Sequence, residues 1–441
     1  MTPDNNDPTT IDYQPATTPA SSDTDVLPPN VGLSTNTKET LGGQTEAGAT
    51  VIVTNAAGTV YSTVADAEGV WSIVPNPLSV GENGTLSAID AAGNQSQPVL
   101  ISGAALSAYD LLNESAQVNT TTTGDQLNPS VTRLADGRIV VTWQGDGTSG
   151  TEVYMQLYEA DGVHKIGTEQ QVNQRTANNQ DSPQVIALTD GGFLIVYESN
   201  VNGLDNSGDG VMARRYGADG QAVTDEFQVN TTYSGAQNRP GAMATADGGY
   251  IISWEDQGTG IVQRSYGADN QPVTGEVTVA TGKGMGSSGG PEMAAFTDAA
   301  HGGMYVTVWN ATSGPGDTSG SGVVGQIFAA DGTPLGGNFQ VNTTTDSSQN
   351  YPDVITLNDG SIVVFWDSSD SGTSNSDIRA VHYRVDAATG TLTLVGSGDF
   401  IVNSYTSGKQ YKPVGVALDD GGYLLIWGSE GGDGDGSAIY A

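Results

Sequence analysis

A short phrase, Gln-x-x-Pro, recurs along most of this 441-residue chain and constrains its fold more than any other feature. From about residue 114 onward it occurs five times, and a sixth copy has Ser288 in place of the glutamine. Successive prolines lie 51 to 61 residues apart: Pro129, Pro183, Pro240, Pro291, Pro352 and Pro413. Repetition at such a period is typical of propellers and repeat arrays. The sequence therefore predicts one supersecondary unit repeated six times.

Each copy holds four predicted strands, which we call A, B, C and D. In the second copy, strand A ends at a turn near Asp190, strand B ends at Tyr197, strand C at Tyr216 and strand D at Asn230. Four short strands per unit of this length are typical of a β-propeller blade. A linear array of small sandwiches is the alternative. We prefer the propeller because the copies have no linkers between them and stacked blades bury both sheet faces.

The ends of the repeat region suggest how the ring closes. The sixth copy starts at Gln410 and stops at Ala441, within strand C. Before the first copy lies an unpaired D-type strand at residues 115–119. Its pairing with the C-terminal strands would hide the open edges of the sheet. We therefore predict a six-bladed propeller closed by an N-terminal outer strand, while a truncated chain with further repeats is the competing interpretation.

The predicted chain is all-β throughout. Residues 1–30 are rich in Thr, Pro, Asp and Ser and are predicted to be a disordered linker. Residues 31–103 show short alternating strands separated by turns, which predict a small Ig-like β-sandwich with Trp71 in its core. Residues 104–441 then form the β-propeller of six repeats of about 50 to 60 residues.

The amino-acid composition of the chain excludes or disfavours several kinds of binding partner and site. The chain has 14 basic and 50 acidic residues, for a formal net charge of −36. Phosphate binding needs a surplus of Lys and Arg, so nucleic acid and anionic membrane surfaces are disfavoured. No apolar run is long enough for a transmembrane helix, so no membrane insertion is expected. The chain has no cysteine, which excludes disulfides, thiolate metal sites and a Cys nucleophile.

The long, polar D–A and B–C loops lie on one face of the predicted propeller, where binding is expected. Each repeated glutamine precedes strand A and could ring the mouth of the central channel as a ligand contact: Gln126, Gln180, Gln237, Gln349 and Gln410. The other interpretation is that each glutamine ties down its own loop by hydrogen bonds. Four tyrosines in or beside these loops are candidates for stacking on a sugar or peptide: Tyr233, Tyr351, Tyr405 and Tyr411.

The B–C loops are acidic and suggest calcium. Asp205, Ser207 and Asp209 have the spacing of the first oxygen ligands of a calcium loop. Tyr216 stands where an EF-hand has its last ligand, so the loop is no EF-hand. Further candidate metal ligands in these loops are Asp146, Asp367, Asp370, Asp433 and Asp435. We therefore predict bound Ca²⁺, with a solvated acidic face as the alternative.

Catalysis has little support in the sequence. The three histidines, His164, His301 and His382, have no zinc spacing. The nine arginines are scattered. The stretch DGGYIISW resembles part of a sialidase Asp box, but its Asp-Gly serves an A–B turn. We therefore expect no enzyme, although the many carboxylates leave an acid/base pair open.

The repeat consensus, VNTTT…Q…P.V..L.DGG..V.W…Y.ADG…G.FQVN, resembles repeats in large bacterial RTX-type surface adhesins, and residues 41–99 resemble the bacterial Ig-like domains of their stalks. The resemblance implies type I secretion, calcium-rich surroundings and an extracellular location on the bacterial cell surface. The chain departs from the family in having no GGxGxDxUx array and no recognisable C-terminal secretion signal. Both departures fit a segment of a longer adhesin.

These observations predict the ligand-binding module of an extracellular adhesin, a monomeric part of a longer chain. Its long-loop face would bind a glycan or peptide on cells, surfaces or biofilm matrix, with calcium holding the acidic loops. A structural spacer or self-association module without a small ligand is the alternative. An enzyme that cleaves polysaccharide is the least favoured interpretation.

Overall fold

The computed structural model describes residues 32–36, 40–74, 76–78, 83–96, 98–102, 117–160, 162, 164–200, 208–281, 289–312, 320–369, 375–418, 421–430 and 437–441. The chain divides into two compact units, Met1–Ala116 and Gln117–Ala441. Every regular element in the described part is a β-strand, which confirms the all-β prediction. None of the described segments forms a helix long and apolar enough to span a membrane.

The first unit contains two antiparallel sheets. One has the order β1 (Gly32–Asn36), β2 (Leu41–Gln44), β5 (Val70–Ile73), and the other has the order β4 (Val60–Val64), β3 (Thr50–Thr54), β6 (Asn83–Ile89), β7 (Val99–Ser102). Alternation along β3 buries Val51 and Val53 and leaves their neighbours partly exposed. They pack with Leu41, Leu86 and the predicted core residue Trp71. This is the packing of the predicted Ig-like sandwich.

The second unit consists of six antiparallel sheets, which we call blades 1 to 6. Blades 1 to 3 are β8 (Gln126–Arg133), β9 (Ile139–Asp146), β10 (Thr151–Tyr158), β11 (Lys165–Gln171); β12 (Gln180–Ala187), β13 (Phe193–Ser199), β14 (Gly210–Tyr216), β15 (Phe227–Gln228); and β16 (Gln237–Ala244), β17 (Tyr250–Asp256), β18 (Gly260–Tyr266), β19 (Val277–Thr281). Blades 4 to 6 are β20 (Glu292–Ala295), β21 (Tyr305–Ala311), β22 (Gly322–Phe328), β23 (Pro334–Gln340); β24 (Gln349–Thr356), β25 (Ser361–Ser369), β26 (Ser376–Val385), β27 (Leu392–Leu394), β28 (Phe400–Ile401); and β29 (Gln410–Ala417), β30 (Tyr423–Glu430), β31 (Ser437–Tyr440).

Both faces of an internal blade are buried against neighbouring blades. In β13, Ile195 and Tyr197 pack toward blade 1, whereas Leu194 and Val196 pack toward blade 3. The continuous apolar run is what a strand buried on both faces needs. The first strands of successive blades contact one another, so strand A is the innermost strand. In a propeller, this strand borders the central channel.

Carboxylates join the outer edges of neighbouring blades. Asp399 accepts the backbone N–H groups of Thr343 and Thr344 at 2.8 and 2.7 Å. Equivalent carboxylates bind the start of the preceding D–A loop in three other blades, and we call this set the edge carboxylates: Glu169, Glu226, Glu276 and Asp399. Each one binds the start of one D–A loop to the outer edge of the next blade.

The predicted closing strand differs from expectation. In its described part, residues 117–119 form no strand, and β31 pairs only with β30. Thr120 nevertheless donates its backbone N–H to the edge carboxylate Glu169 at 2.6 Å, as the other D–A loops do. The segment is therefore anchored beside blade 1 as an outer strand would be, but its pairing with blade 6 is not formed.

Candidate functional site

The residue that follows each repeated proline lies on strand A, the innermost strand of its blade. We call these six positions the post-proline ring: Ser130, Gln184, Gly241, Glu292, Asp353 and Val414. Just before each proline, the A strand carries a β-bulge in blades 1, 2, 3, 5 and 6, where the pre-proline residue has a φ of 47 to 53°. A non-glycine residue in this left-handed region is costly, and such strain is characteristic of functional sites.

Hydrogen bonds connect the ring from blade to blade. Ser130 Oγ accepts the backbone N–H of Val185 at 3.1 Å. Asp353 Oδ2 accepts that of Gly415 at 2.7 Å. In both cases a post-proline side chain holds the backbone two residues after the proline of the next blade. The repeat therefore places chemically different side chains at one geometrically defined level of the channel.

Gln184 crosses from blade 2 to blade 4. Its Oε1 accepts the backbone N–H of Ala242 at 2.6 Å, and its Nε2 donates to Glu292 Oε2 at 3.2 Å. The crossing is possible because blade 3 has Gly241 in the ring, where a Cβ would collide with the carbonyl oxygen of Pro291. A side chain at that position would also stand between the two blades that Gln184 joins.

Glu292 and Asp353 occupy the same post-proline position on adjacent blades, and the charge of Asp353 acts on the Glu292 carboxyl. Both residues are half-buried. Burial and the nearby charge of Asp353 raise the pKa of Glu292. Burial also raises the pKa of Asp353, against the N–H groups of Gly415 and Val354, which favour its ionised form. Two close carboxyls of this kind cannot both ionise easily, so the pair retains a proton near neutral pH.

A second layer of polar groups follows the aromatic residue that ends each B strand. Glu198 Oε1 accepts the backbone N–H of Arg239 at 2.7 Å, and Arg239 forms a 2.6 Å ion pair with Glu255. Burial raises the pKa of both glutamates. Arg239 lies two residues before the post-proline position of its own A strand, on the side of the D–A loop. Glu198 and Glu255 bind it there, so the three residues line the loop-side mouth of the channel.

The corresponding layer in blades 5 and 6 contains Asp367. Burial raises the pKa of Asp367 to about 7, despite its hydrogen bonds to Lys412 N–H and Asn350. The Lys412 ammonium lies 5.2 Å from the ring centre of Tyr351. A carboxyl with this pKa exchanges its proton around neutral pH and is suited to general acid–base catalysis.

The repeated glutamines bind their own loops. Gln349 donates to the carbonyl of Asp346 at 2.9 Å and accepts from Asn342 at 3.0 Å. Similar hydrogen bonds to carbonyl groups of their own loops are donated by three others: Gln126, Gln180 and Gln237. Gln410 instead accepts a hydrogen bond from the Trp427 indole N–H. The geometry matches the loop-tying interpretation, and ligand contact by these glutamines stays a prediction.

The candidate tyrosines fall into two groups. Tyr233 and Tyr405 are 49% and 38% exposed on the D–A loops and present area for stacking. Tyr351 and Tyr411 are half-buried at the start of their A strands. Tyr351 contacts the Lys412 ammonium, next to the layer that contains Asp367.

The predicted metal ligands are only partly described. Asp205, Ser207, Asp370, Asp433 and Asp435 lie outside the described residues. Three candidates are described: Asp146 is exposed, Asp209 is half-buried, and Asp367 is buried between blades. Within the described ranges, no three or more His, Cys, Asp or Glu side chains are grouped to hold a metal ion. Calcium binding stays a prediction.

Two histidines have structural contacts. His301 lies 2.8 Å from the Asp298 carboxylate, and its other ring nitrogen lies 2.9 Å from the carbonyl of Val385 in blade 5. His382 Nε2 lies 2.8 Å from Ser361 Oγ. The first histidine therefore joins two blades at the turn side of the unit, away from the channel mouth.

Residues 28–104 match the family model described as bacterial Ig domain. The chain is similar to the NanB sialidase of Streptococcus pneumoniae, with 8% identity over 87% of this chain and 92% of that one and a TM-score of 0.50. An α-L-arabinofuranosidase of Fusarium graminearum aligns with 14% identity over 71% and 92% of the two chains, at a TM-score of 0.47. A comparison with curated proteins finds no match.

These findings correct two expectations. The bacterial Ig-like domain and the propeller-like fold are confirmed. The expectation of an adhesin module without enzymatic activity is wrong, because the chain resembles a solved sialidase structure, and the RTX-type resemblance of the repeats is not shown. At these identities the likeness shows the fold alone, so function has to be argued from the side chains of the channel.

Sequence reasoning missed the channel carboxyls. It searched the variable loops, whereas Glu292 and Asp353 lie within strand A, directly after the repeated proline. The signal was present, because this position changes from Ser to Gln, Gly, Glu, Asp and Val while the proline itself is constant. A position whose residue changes from repeat to repeat, while its neighbours stay constant, can give each blade a different chemical role.

Proposed function

We propose that the chain processes glycans by hydrolysing a glycosidic bond at the channel, with Glu292 and Asp353 as its acid and base. The observation that carries this proposal is the carboxyl pair itself, placed on the innermost strands of adjacent blades with both residues half-buried. Carboxyl pairs with separated proton affinities identify acid and base partners. Glycoside hydrolysis requires such a pair.

The environments of the two groups assign their roles. Glu292 is held by a neutral amide and faces the charge of Asp353, so it keeps the proton and donates it to the glycosidic oxygen. Asp353 receives two backbone N–H groups, so it is the ionised partner and takes the proton released by the attacking water. Gln184 positions the acid and Gly415 positions the base. The propeller-like fold shared with a sialidase is consistent with this function.

The test is a screen of purified protein on a panel of polysaccharides and aryl glycosides, with release of reducing ends or of the aryl group as the readout. We expect at least one substrate to be hydrolysed by the wild type and not by the double variant Glu292→Gln/Asp353→Asn. The matched control is Glu276→Gln, which neutralises an edge carboxylate. Hydrolysis by the double variant at the wild-type rate, or by no preparation on any substrate, would refute the proposal.

The expected location and metal belong to the same proposal. The absence of cysteine, the acidic composition and the bacterial Ig domain support an extracellular protein that meets polysaccharide outside the cell. Calcium in the B–C loops would then stabilise the mouth of the channel. Acidic oxygens such as those of Asp209 and Asp146 are the ligands that calcium prefers.

A further inference from the structure

On the turn side of the second unit, a cationic side chain can tie one blade to the backbone of the next. Arg215 of blade 2 forms a 2.6 Å ion pair with Asp190 of its own blade and donates to the carbonyl of Ala268 in blade 3 at 2.6 Å. We call this arrangement a cation bridge. A second bridge of the same form joins blade 1 to blade 2 through Arg138, Asp136 and the carbonyl of Ala218.

Blade 4 has the same arrangement with a histidine as its central group. Its A–B turn carries His301-Gly302 where the five other copies carry Asp-Gly. His301 Nδ1 lies 2.8 Å from each carboxylate oxygen of Asp298, and its Nε2 lies 2.9 Å from the carbonyl oxygen of Val385 in blade 5. The ring stacks on Phe296 and is only 7% exposed. The histidine thus has the role that an arginine has in the two other bridges.

The partners of His301 determine how many protons its ring carries. The Val385 carbonyl can only accept a hydrogen bond, so Nε2 must be the donor. The Asp298 carboxylate already accepts the backbone N–H groups of Ala300 and His301 at 3.1 and 3.3 Å, so Nδ1 must be a donor as well. A neutral imidazole has one N–H and the imidazolium has two. The full set of contacts therefore requires the charged ring.

The charges of both blades favour that state. Burial opposes the imidazolium, but Asp298, the Val385 carbonyl and Asp386 outweigh it, so the pKa of His301 is raised. Burial likewise opposes the ionised Asp298, but its contacts with His301 and with backbone N–H groups lower its pKa. The A–B turn of blade 5 packs against the ring, and its charged and titratable groups interact with one another: Asp359, His382 and Arg384.

We infer that His301 is a pH-sensitive bridge that holds blade 4 to blade 5 while its ring is charged. Loss of a proton leaves one ring nitrogen facing an acceptor without a hydrogen, which weakens the bridge. The guanidinium groups of the two other bridges stay protonated, so His301 is the one of the three that responds to pH near neutrality. The two blades that it joins carry Glu292 and Asp353, but the inference does not depend on the function proposed for them.

The sign of the effect follows from the raised pKa of His301. A group whose pKa is higher in the folded than in the unfolded chain stabilises the fold fully below the unfolded value, here about 6.5. That stabilisation is lost as the pH rises through the folded value. The contact between blades 4 and 5 should therefore be strongest in mildly acidic surroundings.

NMR of the histidine side chains measures the protonation state directly, because the chain has three histidines. In isotope-labelled wild-type protein, we expect His301 to keep the two N–H nitrogens of an imidazolium to a higher pH than His382, whose pKa is lowered by burial. The variants His301→Gln and His382→Gln assign the signals, each by the loss of one set. A neutral His301 ring at about pH 6, or a titration midpoint at or below that of His382, would overturn the inference.

Thermal unfolding measures the consequence for stability. We expect the Tm of the wild type to exceed that of His301→Gln at about pH 6, and this difference to shrink by about 2 °C or more at about pH 8.5. His382→Gln is the matched control, since its ring contacts Ser361 of its own blade, and its difference from the wild type should not shrink. An equal difference for His301→Gln at the two pH values would contradict the inference, whatever the glycan assays show.

Discussion

The carboxylates at the outer edge of the blades and those in the channel are the same chemical groups in opposite electrostatic settings. Burial acts on the pKa of Asp399 as well, but N–H and hydroxyl donors from Thr343 and Thr344 reverse its effect and lower that pKa. Glu276 and Glu169 have lowered pKa values for the same reason. In the channel, Glu292 has one neutral donor and an acidic neighbour, and its pKa rises.

The difference shows how one repeat can place carboxylates that stabilise the fold at its edge and carboxyls that can transfer protons in its channel. At the edge, a Thr-Thr loop start donates several hydrogen bonds to an acidic residue in three blades, and these donors lower the pKa of Glu169, Glu276 and Asp399. In the channel, the post-proline residue differs in every blade and its donors are few. A carboxyl without enough donors keeps its proton, and a retained proton is available for transfer.

The largest effect should come from neutralising the channel pair. We predict that Glu292→Gln or Asp353→Asn lowers kcat/KM for the substrate found in the screen by about 100-fold to 10,000-fold, the usual contribution of a general acid or base. Glu276→Gln should change kcat/KM by less than about threefold, after correction for folded protein. Similar losses in all three variants would show that the channel pair has no special role in catalysis.

The edge carboxylates should instead control stability. We predict that Asp399→Asn lowers the free energy of unfolding by about 2 kcal/mol, because it removes charged acceptors for two N–H groups and the 2.6 Å ion pair with Arg379. The lowered pKa means that this contribution is present near neutral pH and is lost as the pH falls through the pKa of the folded carboxyl. Urea unfolding at neutral and acidic pH measures both effects. Glu159→Gln, at an exposed turn, is the control, and a loss equal to that of Asp399→Asn would contradict the prediction.

Asp367 should show the opposite dependence on pH. Because its pKa is raised to about 7, its contribution to stability is complete below about pH 4, its ordinary range, and is lost as the pH rises through about 7. Asp367→Asn removes that loss. We predict that the wild type loses on the order of 2 kcal/mol relative to the variant between pH 4.5 and pH 8, measured by urea unfolding. Parallel stability curves for the two proteins would mean that Asp367 is ionised across this range.

Calcium should give the smallest effect. If the acidic B–C loops bind the ion, millimolar calcium should raise Tm by a few degrees over the value in chelator, since a ligand that binds only the folded state stabilises it. Asp209→Asn should reduce this difference. Identical Tm values in calcium and chelator would exclude a structural calcium site.

The fold could be predicted from the repeat because the residues that mark the ends of its strands are there for direct physical reasons. The Asp-Gly turns end strand A, and the buried aromatics that close strand B fill the interblade cores, as Trp254 and Trp366 do. The Ig-like unit followed from the alternation in β3 and β6. The closing strand did not form as predicted, because the pairing of residues 117–119 depends on a distant blade and not on local pattern.

The channel site was beyond reach for a related reason. A bulge at the proline of blade 5 shifts the register of strand A, so the face that Asp353 occupies does not follow from simple alternation. The contact of Gln184 with Glu292 joins residues 108 positions apart and depends on the missing side chain of Gly241. Such long-range geometry sets the proton affinity of the pair, whereas composition showed only that carboxylates are abundant.

The most direct test is an infrared measurement of the protonated carboxyl C=O stretch at pH 7 in the wild type, in Glu292→Gln and in Glu276→Gln. The account predicts a protonated-carboxyl band in the wild type that disappears in Glu292→Gln and persists in Glu276→Gln. A wild-type spectrum without that band, or a band unaffected by Glu292→Gln, would contradict the claim that the channel pair holds the proton used for glycan hydrolysis.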